Sequence, residues 1–526
     1  MSARMVAATA TKPAHKLHSC ANCSYSYEET IDLSAVLKFE SKNDGTCRVT
    51  GLKDKTVTDL VIPEKSPAGD TVVAIDTDAF KACLSLKSVA LPVTLTKVFS
   101  GAFYNCSNLK TVVFPQNGAS NLELGYQSFA FSAIEALDLT NTTIETIGNH
   151  AFYGCKSLKT VKLGAVATID NFAFTSCSEL TSVIHAGNLI TIGERAFDGC
   201  RKLTEVRAKN SQYNLDTVQV FDSWAFHNSG IRDIVFSKKL KATNRAFEGC
   251  VNLGTVDFSQ TSKFASFAGS KLETIIFPRS LSRIPEYYFS GATIGSLTLP
   301  GSVSEIGEGA FSDARIGKLT FGSGLTHIGG CAFKDATATY DFSNVYGDLT
   351  IEYEAFANNK FTSFAFPEST VFIGEGALMG CNKLQTLSIP FIGKNAEEST
   401  ASTHCLAWLF GKDVDCWNQT SAVPSTLKTV ILHGENPATR AFLGVKITTL
   451  VVGKDITAIG NENFGSDSKL ARIYYEGTQQ EWNAVTRGTS NNQKLSSAEK
   501  YFYSKTQPTT AGNFWYYDDN GVITHW

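Results

Sequence analysis

Along most of the chain the apolar positions return at a fixed spacing. Between Ile147 and Leu163 (IGNHAFYGCKSLKTVKL) the order is Ile-Gly, two free positions, Ala-Phe, two free, Cys, two free, Leu, two free, Val, one free, Leu. The phenylalanine of this skeleton recurs at Phe80, Phe103, Phe129, Phe152, Phe174, Phe197, Phe226, Phe247, Phe267, Phe289, Phe311, Phe333 and Phe356, then at Phe442 and Phe464, with Leu378 substituting once. Most steps are 22 or 23 residues, and the longest runs from Leu378 to Phe442. Such a period marks stacked supersecondary units. Leu158 to Leu163 alternates apolar and polar, which predicts a short strand with one buried face. Ile147 to Cys155 lacks that alternation and predicts a turn with a helical or 3-10 return. One such unit cannot close a core, so each must bury its Ile, Phe, Cys, Leu and Val against its neighbours. Parallel strands about 4.8 Å apart would set some 16 copies along about 75 Å. The Cys three residues after the Phe (Cys106 after Phe103) accompanies one extra turn residue, absent from Phe226 to Ile231. That covariation assigns the thiol a packing role.

The pattern Ile-Gly-x-x-Ala-Phe-x-x-Cys-x-x-Leu-x-x-Val-x-Leu, often followed by Pro (Pro92, Pro115, Pro300, Pro390), resembles the BspA-like leucine-rich repeat family over about 57–475. The resemblance implies an α/β-type repeat solenoid: an arc of about 16 leucine-rich repeats with a parallel concave β-sheet. It also implies surface-exposed or secreted proteins used for adhesion and protein binding. On the concave face the first outward strand position is mostly Ser or Thr. The second carries Val113, Lys162, Ile184, Arg207, Val235, Asp257, Ile276 and Thr298, unusually apolar for an outer row. We take these eight as candidate binding residues. β-Branched residues and hydroxyls also suit a flat parallel sheet with no ligand.

The ends read as caps. Val36 to Gly51 is two alternating runs around Asn43-Asp44-Gly45, a hairpin signal. With the strand-like Val57–Pro63 it places an N-terminal cap at 33–75, ahead of repeats over 76–390 and 427–475 and a C-terminal cap over 476–526. Thr478 three residues before Glu481 is a capping box. Tyr501–Tyr503 and Phe514–Tyr517 alternate around Asp518-Asp-Asn-Gly521, a second hairpin signal. The segment 391–426 interrupts the repeats. Its Trp408, Phe410 and Trp417 are further candidate contacts; Cys405 and Cys416, eleven residues apart, are either a disulfide pair formed outside the cell or two unrelated thiols. The leader 1–32, expected to be flexible, holds His15, His18, Cys20 and Cys23, four ligands of the type zinc takes. No second CxxC completes that motif.

Charge and composition narrow the function. Forty-seven basic against 50 acidic residues leave a net charge of -3 and no electrostatic footprint for nucleic acid. No run of 18 apolar residues predicts a spanning helix, and no apolar core of a secretory signal is legible near Met1. The nine His share no repeat register with nucleophile partners, and no P-loop, G-x-S-x-G, H-E-x-x-H or dinucleotide fingerprint is present. No enzyme activity and no cofactor are therefore expected. Seven Cys at one repeat position (Cys83, Cys106, Cys155, Cys177, Cys200, Cys250, Cys381) are expected as buried thiols. The reading is a non-enzymatic cell-surface or secreted protein that binds a host or extracellular-matrix protein through its concave face. The alternative is carbohydrate or cell-wall binding through the aromatic C-terminal region.

Overall fold

The computed structural model describes residues 2–6, 15–19, 26–30, 36–115, 121–243, 245–395, 403–411, 417, 419–519 and 521–526. The chain forms two compact units, Met1–Pro278 and Arg279–Trp526. Each is a β-solenoid whose repeats stack a longer strand in one sheet wall and, in most repeats, a short strand in a second. The leucine-rich half of the repeat makes the longer strands. In the first unit Ala136–Leu139, Thr160–Leu163, Ser182–His185 and Glu205–Ala208 pair in parallel, with Leu137, Val161, Val183 and Val206 in one register row. In the second, Ser363–Ala365, Thr386–Ile389, Thr429–Leu432, Thr449–Val452 and Arg472–Tyr475 do the same. The Ile-Gly half makes a second wall of two-residue strands, such as Thr146–Ile147, Thr168–Ile169 and Thr191–Ile192.

The glycine after the Ile has a steric cause. A Cβ on Gly148 would stand 2.1 Å from the Leu124 carbonyl oxygen, and one on Gly374 2.4 Å from the Tyr353 nitrogen. The backbone of one repeat lies directly on that of the last.

The expected helical or 3-10 return does not form in the repeats. After the Ile-Gly strand the chain makes consecutive turns around the Phe, with left-handed residues two before it and two after it. Around Phe152 these are His150 (φ 56) and Gly154 (φ 68). A helix excludes such residues, since each left-handed non-glycine costs about 1–2 kcal/mol. Hydrogen bonds to the next repeat offset the cost: the N–H groups of His150, Phe152 and Gly154 donate to the carbonyls of Asn171, Ala173 and Thr175 at 3.0, 2.9 and 2.8 Å. α-Helix occurs at Gln479–Ala484 and Gln493–Ser497.

Stacked rings form the core. Phe129, Phe152, Phe174 and Phe197 lie with centroids 5.4–5.5 Å apart and planes within 6° of parallel. Phe289, Phe311, Phe333 and Phe356 repeat this in the second unit at 5.0–5.2 Å. Beside the rings runs a column of donors. The thiols of Cys155, Cys177 and Cys200 donate to the carbonyls of Phe129, Phe152 and Phe174, one repeat back, at 3.3, 3.3 and 3.1 Å. Ser270 and Asn359 fill the same position and donate to Phe247 and Phe333, both at 2.7 Å.

Both hairpins form. Leu37–Ser41 and Thr46–Leu52 pair antiparallel, and Thr46–Leu52 then leads the short-strand wall by pairing with Thr71–Ile75. Phe514–Tyr517 and Ile523–His525 pair antiparallel at the other end. In the leader three strands, Ser2–Val6, His15–Ser19 and Ser26–Thr30, pair antiparallel.

Candidate binding face

The outward rows stand in register as the alternation requires. In the first unit Val113 pairs with Ala90, the run Asp138, Lys162, Ile184 and Arg207 is continuous, and Val235 pairs with Asp257 and Asp257 with Ile276. In the second unit Thr298 pairs with Thr320. Val113 is 54% exposed and Ile276 43%. Lys162 and Thr298 are exposed, and Ile184, Arg207, Val235 and Asp257 half-buried. Charges alternate among the apolar members: Lys162 stands 3.6 Å from Asp138, and Arg207 pairs with Glu205.

One feature was illegible in the alternation. Between Arg207 and Val235 the strands are not neighbours, because Asn214 is inserted there. It bridges to Arg207 on one side and to Ile234 on the other. Its side chain completes the ladder by accepting from the Val206 N–H at 2.9 Å and donating to the Thr204 and Asp233 carbonyls. The 29-residue step from Phe197 to Phe226 was its signal.

At the C-terminal end the outer face is covered by the chain itself. Trp515, Tyr517 and Ile523 of the terminal hairpin pack with Tyr501 and Tyr503 over Ile431, Val451 and Tyr474. Trp515 is fully buried and donates to the Tyr475 carbonyl at 3.1 Å. His525 stacks on Tyr501 and bonds the Tyr474 hydroxyl at 2.8 Å. These aromatics therefore lie on the sheet face. Tyr516 and Trp526 stack at 4.2 Å nearer the surface.

The interrupting segment is wired into the stack. Leu378 donates to the Leu409 carbonyl at 2.7 Å, as Phe356 donates to Ala377, and Leu406 donates to Ala441 at 3.0 Å. Trp408 is half-buried, its indole nitrogen donating to the Ile373 carbonyl at 2.8 Å. Phe410 is 3% exposed, which leaves it to packing, and Leu406–Leu409 forms a 3-10 turn. His404 holds Glu435 at 2.6 Å. Trp417 is 60% exposed, with the Arg440 guanidinium 3.3 Å above its ring. Cys405 is disulfide-bonded; Cys416 lies outside the described residues.

Of the leader cluster, His15 and His18 fall on the strand His15–Ser19, while Cys20 and Cys23 lie outside the described residues. The seven repeat-position cysteines carry free thiols, six buried and Cys83 half-buried. Burial pushes Cys155 up to about 11 and Cys106 to about 12, so these thiols are protonated and poor nucleophiles near neutrality.

The model of the BspA type leucine rich repeat region matches residues 57–163, 122–254, 220–339, 262–385 and 349–404. Among solved structures, a leucine rich cell surface protein from Faecalibacterium prausnitzii is 19% identical, covering 86% of this chain and 96% of that one at a TM-score of 0.37. A leucine-rich repeat protein from Bacteroides ovatus is 17% identical, covering 90% and 100% at 0.37. The pneumococcal vaccine antigen PcpA is 17% identical, covering 89% and 97% at 0.32. No curated protein matches the chain.

Proposed function

Because the chain belongs to the BspA-type leucine-rich repeat family, we propose that it is a non-enzymatic surface or secreted protein that binds a host or extracellular-matrix protein. The binding site is the outer row Val113, Lys162, Ile184, Arg207, Val235, Asp257 and Ile276 of the first unit; Thr298 holds the equivalent outward strand position within the second. The observation that carries this is the exposure of Val113 and Ile276 in a row that needs no apolar side chain for folding. For Val113 the inward neighbours Val112 and Phe114 already supply the core, while beside Ile276 the flanking Ile275 and Phe277 are half-buried. Interspersed charges of both signs add register and selectivity for a protein partner. No transmembrane helix is present among the described residues. A binding screen of the purified chain against fibronectin, laminin, collagen and fibrinogen tests the reading. Saturable binding weakened by Ile276→Glu supports it, and binding indifferent to that change removes the row from the site.

The C-terminal carbohydrate reading draws less support from the geometry, since Trp515 is spent on packing and the surface ring pair is Tyr516 with Trp526. Cell-wall binding lost in Trp526→Ala would restore it.

A further inference from the structure

The longer-stranded wall of the second unit is split. Thr293–Thr298, Arg315–Thr320 and Thr337–Asp341 form one ladder, and Ser363–Ala365 opens the next. No ladder pairing joins Thr337–Asp341 to Ser363–Ala365. The bond that closes the neighbouring steps of this unit is missing here. Leu299 donates to Thr320, Phe321 to Asp341 and Phe366 to Ser388, but Phe342 makes no such bond to Ala365. The other wall runs on unbroken through His327–Ile328, Leu349–Ile351 and Thr370–Ile373. The repeats are therefore closed on one side and open on the other.

Large rings hold the split open. Tyr340 takes the place that Leu319 holds one repeat earlier. Its hydroxyl donates to Asn359 at 2.7 Å. Tyr340 and Phe342 stand edge-on to Phe364 at 6.1 and 6.3 Å, and Phe361 stacks on Phe364 at 4.7 Å. A cleft of about 660 Å³ opens there, floored by these rings and rimmed by Lys318, Asp341 and Ser363.

Two strand edges face this cleft. Within a strand, successive residues direct their main-chain groups to opposite sides. Thr337 donates back to Ala314 and Phe366 forward to Ser388. The main-chain groups of Ala338 and Tyr340 on one edge, and of Ser363 and Ala365 on the other, therefore point into the split. Unpaired edges are templates for an added strand. The first unit shows what such a gap accepts: there the strands on either side of Asn214 are joined by an inserted extended residue of the chain itself.

The geometry points to a strand-insertion site: an extended segment of a partner protein enters between Thr337–Asp341 and Ser363–Ala365, bonds both edges, and sets an apolar side chain on Phe361 and Phe364. The site lies in the second unit, and this inference shares with the outer-row reading only that the partner is a protein. The ring floor selects the apolar side chain, and Lys318 with Asp341, paired at 2.8 Å, offers both charge signs to flanking polar residues.

The test uses the full chain and a displayed library of random dodecapeptides, with amide exchange read by mass spectrometry. Ala365→Pro removes one N–H that faces the split while leaving the bonds of Phe364 and Phe366, so the chain should fold, as edge-strand prolines allow. The expected result is fast exchange at Ala338, Tyr340, Ser363 and Ala365 in the free chain, slowed by a selected peptide. That peptide should bind Ala365→Pro at least tenfold more weakly, with melting unchanged. Slow exchange at these amides in the free chain overturns the inference, because the strands then close on each other. So does a selection yielding no peptide, or peptides indifferent to Ala365→Pro. None of these outcomes bears on matrix-protein binding through Val113 and Ile276, which fails or survives separately.

Discussion

Replacing Cys200 separates two accounts of the repeat-position thiol. The Cys200 side chain is fully buried and donates to the Phe174 carbonyl at 3.1 Å. If the sulfur acts as a donor, Cys200→Ala removes a hydrogen bond worth about 0.5–1.5 kcal/mol. It also removes a buried volume close to a methylene, about 0.8 kcal/mol. Together they amount to a loss of about 1.3–2.3 kcal/mol. Cys200→Ser keeps a donor, as Ser270 does toward Phe247 at 2.7 Å, and should stay within about 1 kcal/mol of the parent. Urea titration measures both, as a shift in midpoint at constant slope. The change should concentrate in amides of neighbouring repeats, since each repeat contacts only its neighbours. A serine variant as unstable as the alanine variant would refute the argument and leave the sulfur as apolar filler.

Other consequences follow from the same structure. Buried thiols raised to about 11 at Cys155 and about 12 at Cys106, Cys250 and Cys381, from an ordinary 9.0, favour the folded state only while protonated. Stability should be full below pH 9 and fall as pH rises from 9 toward 12, a trend that melting between pH 8 and 10.5 would show. His185 occupies the inward position that Leu163 holds in the preceding repeat. Burial pushes it down from 6.5 to about 4, with the Asp216 charge working against the shift. Its contribution is present above pH 6.5 and lost as pH falls toward 4, and His185→Leu should flatten that acid limb of the melting curve. Trp515→Ala should cost about 3–5 kcal/mol, with faster exchange confined to residues around Val451 and Tyr474 and no change in the first unit. Peptide mapping without reductant should recover Cys405 linked to Cys416; any other partner would contradict the pairing inferred from their spacing.

Much of this architecture was legible because its causes are local and repeated. A strand with one buried face fixes its alternation, so the rows through Thr160, Lys162 and Val113 could be read before any coordinates. The hairpin at Asn43-Asp44-Gly45 and the capping box at Thr478 were legible for the same reason. The turn around each Phe was misread as helical, because its left-handed residues include His150, Phe172 and Trp224, which announce nothing in sequence. The strand Thr337–Asp341 is not legible in the repeat pattern, since Tyr340 stands where Leu319 does one repeat earlier. The place of Leu406–Leu409 in the stack and the fold-back of Trp515 onto Val451 depend on contacts between distant segments, which no local pattern encodes.

The most direct test of the binding face is one affinity measurement on one variant. Val113, Ile184, Val235 and Ile276 would be changed together to Glu, and the variant titrated by biolayer interferometry against the matrix protein that binds the parent most tightly. Because all four point away from the core, melting should hold within a few degrees. The account predicts loss of binding by at least a hundredfold. Undiminished affinity in a folded variant would contradict it and remove the outer row from function.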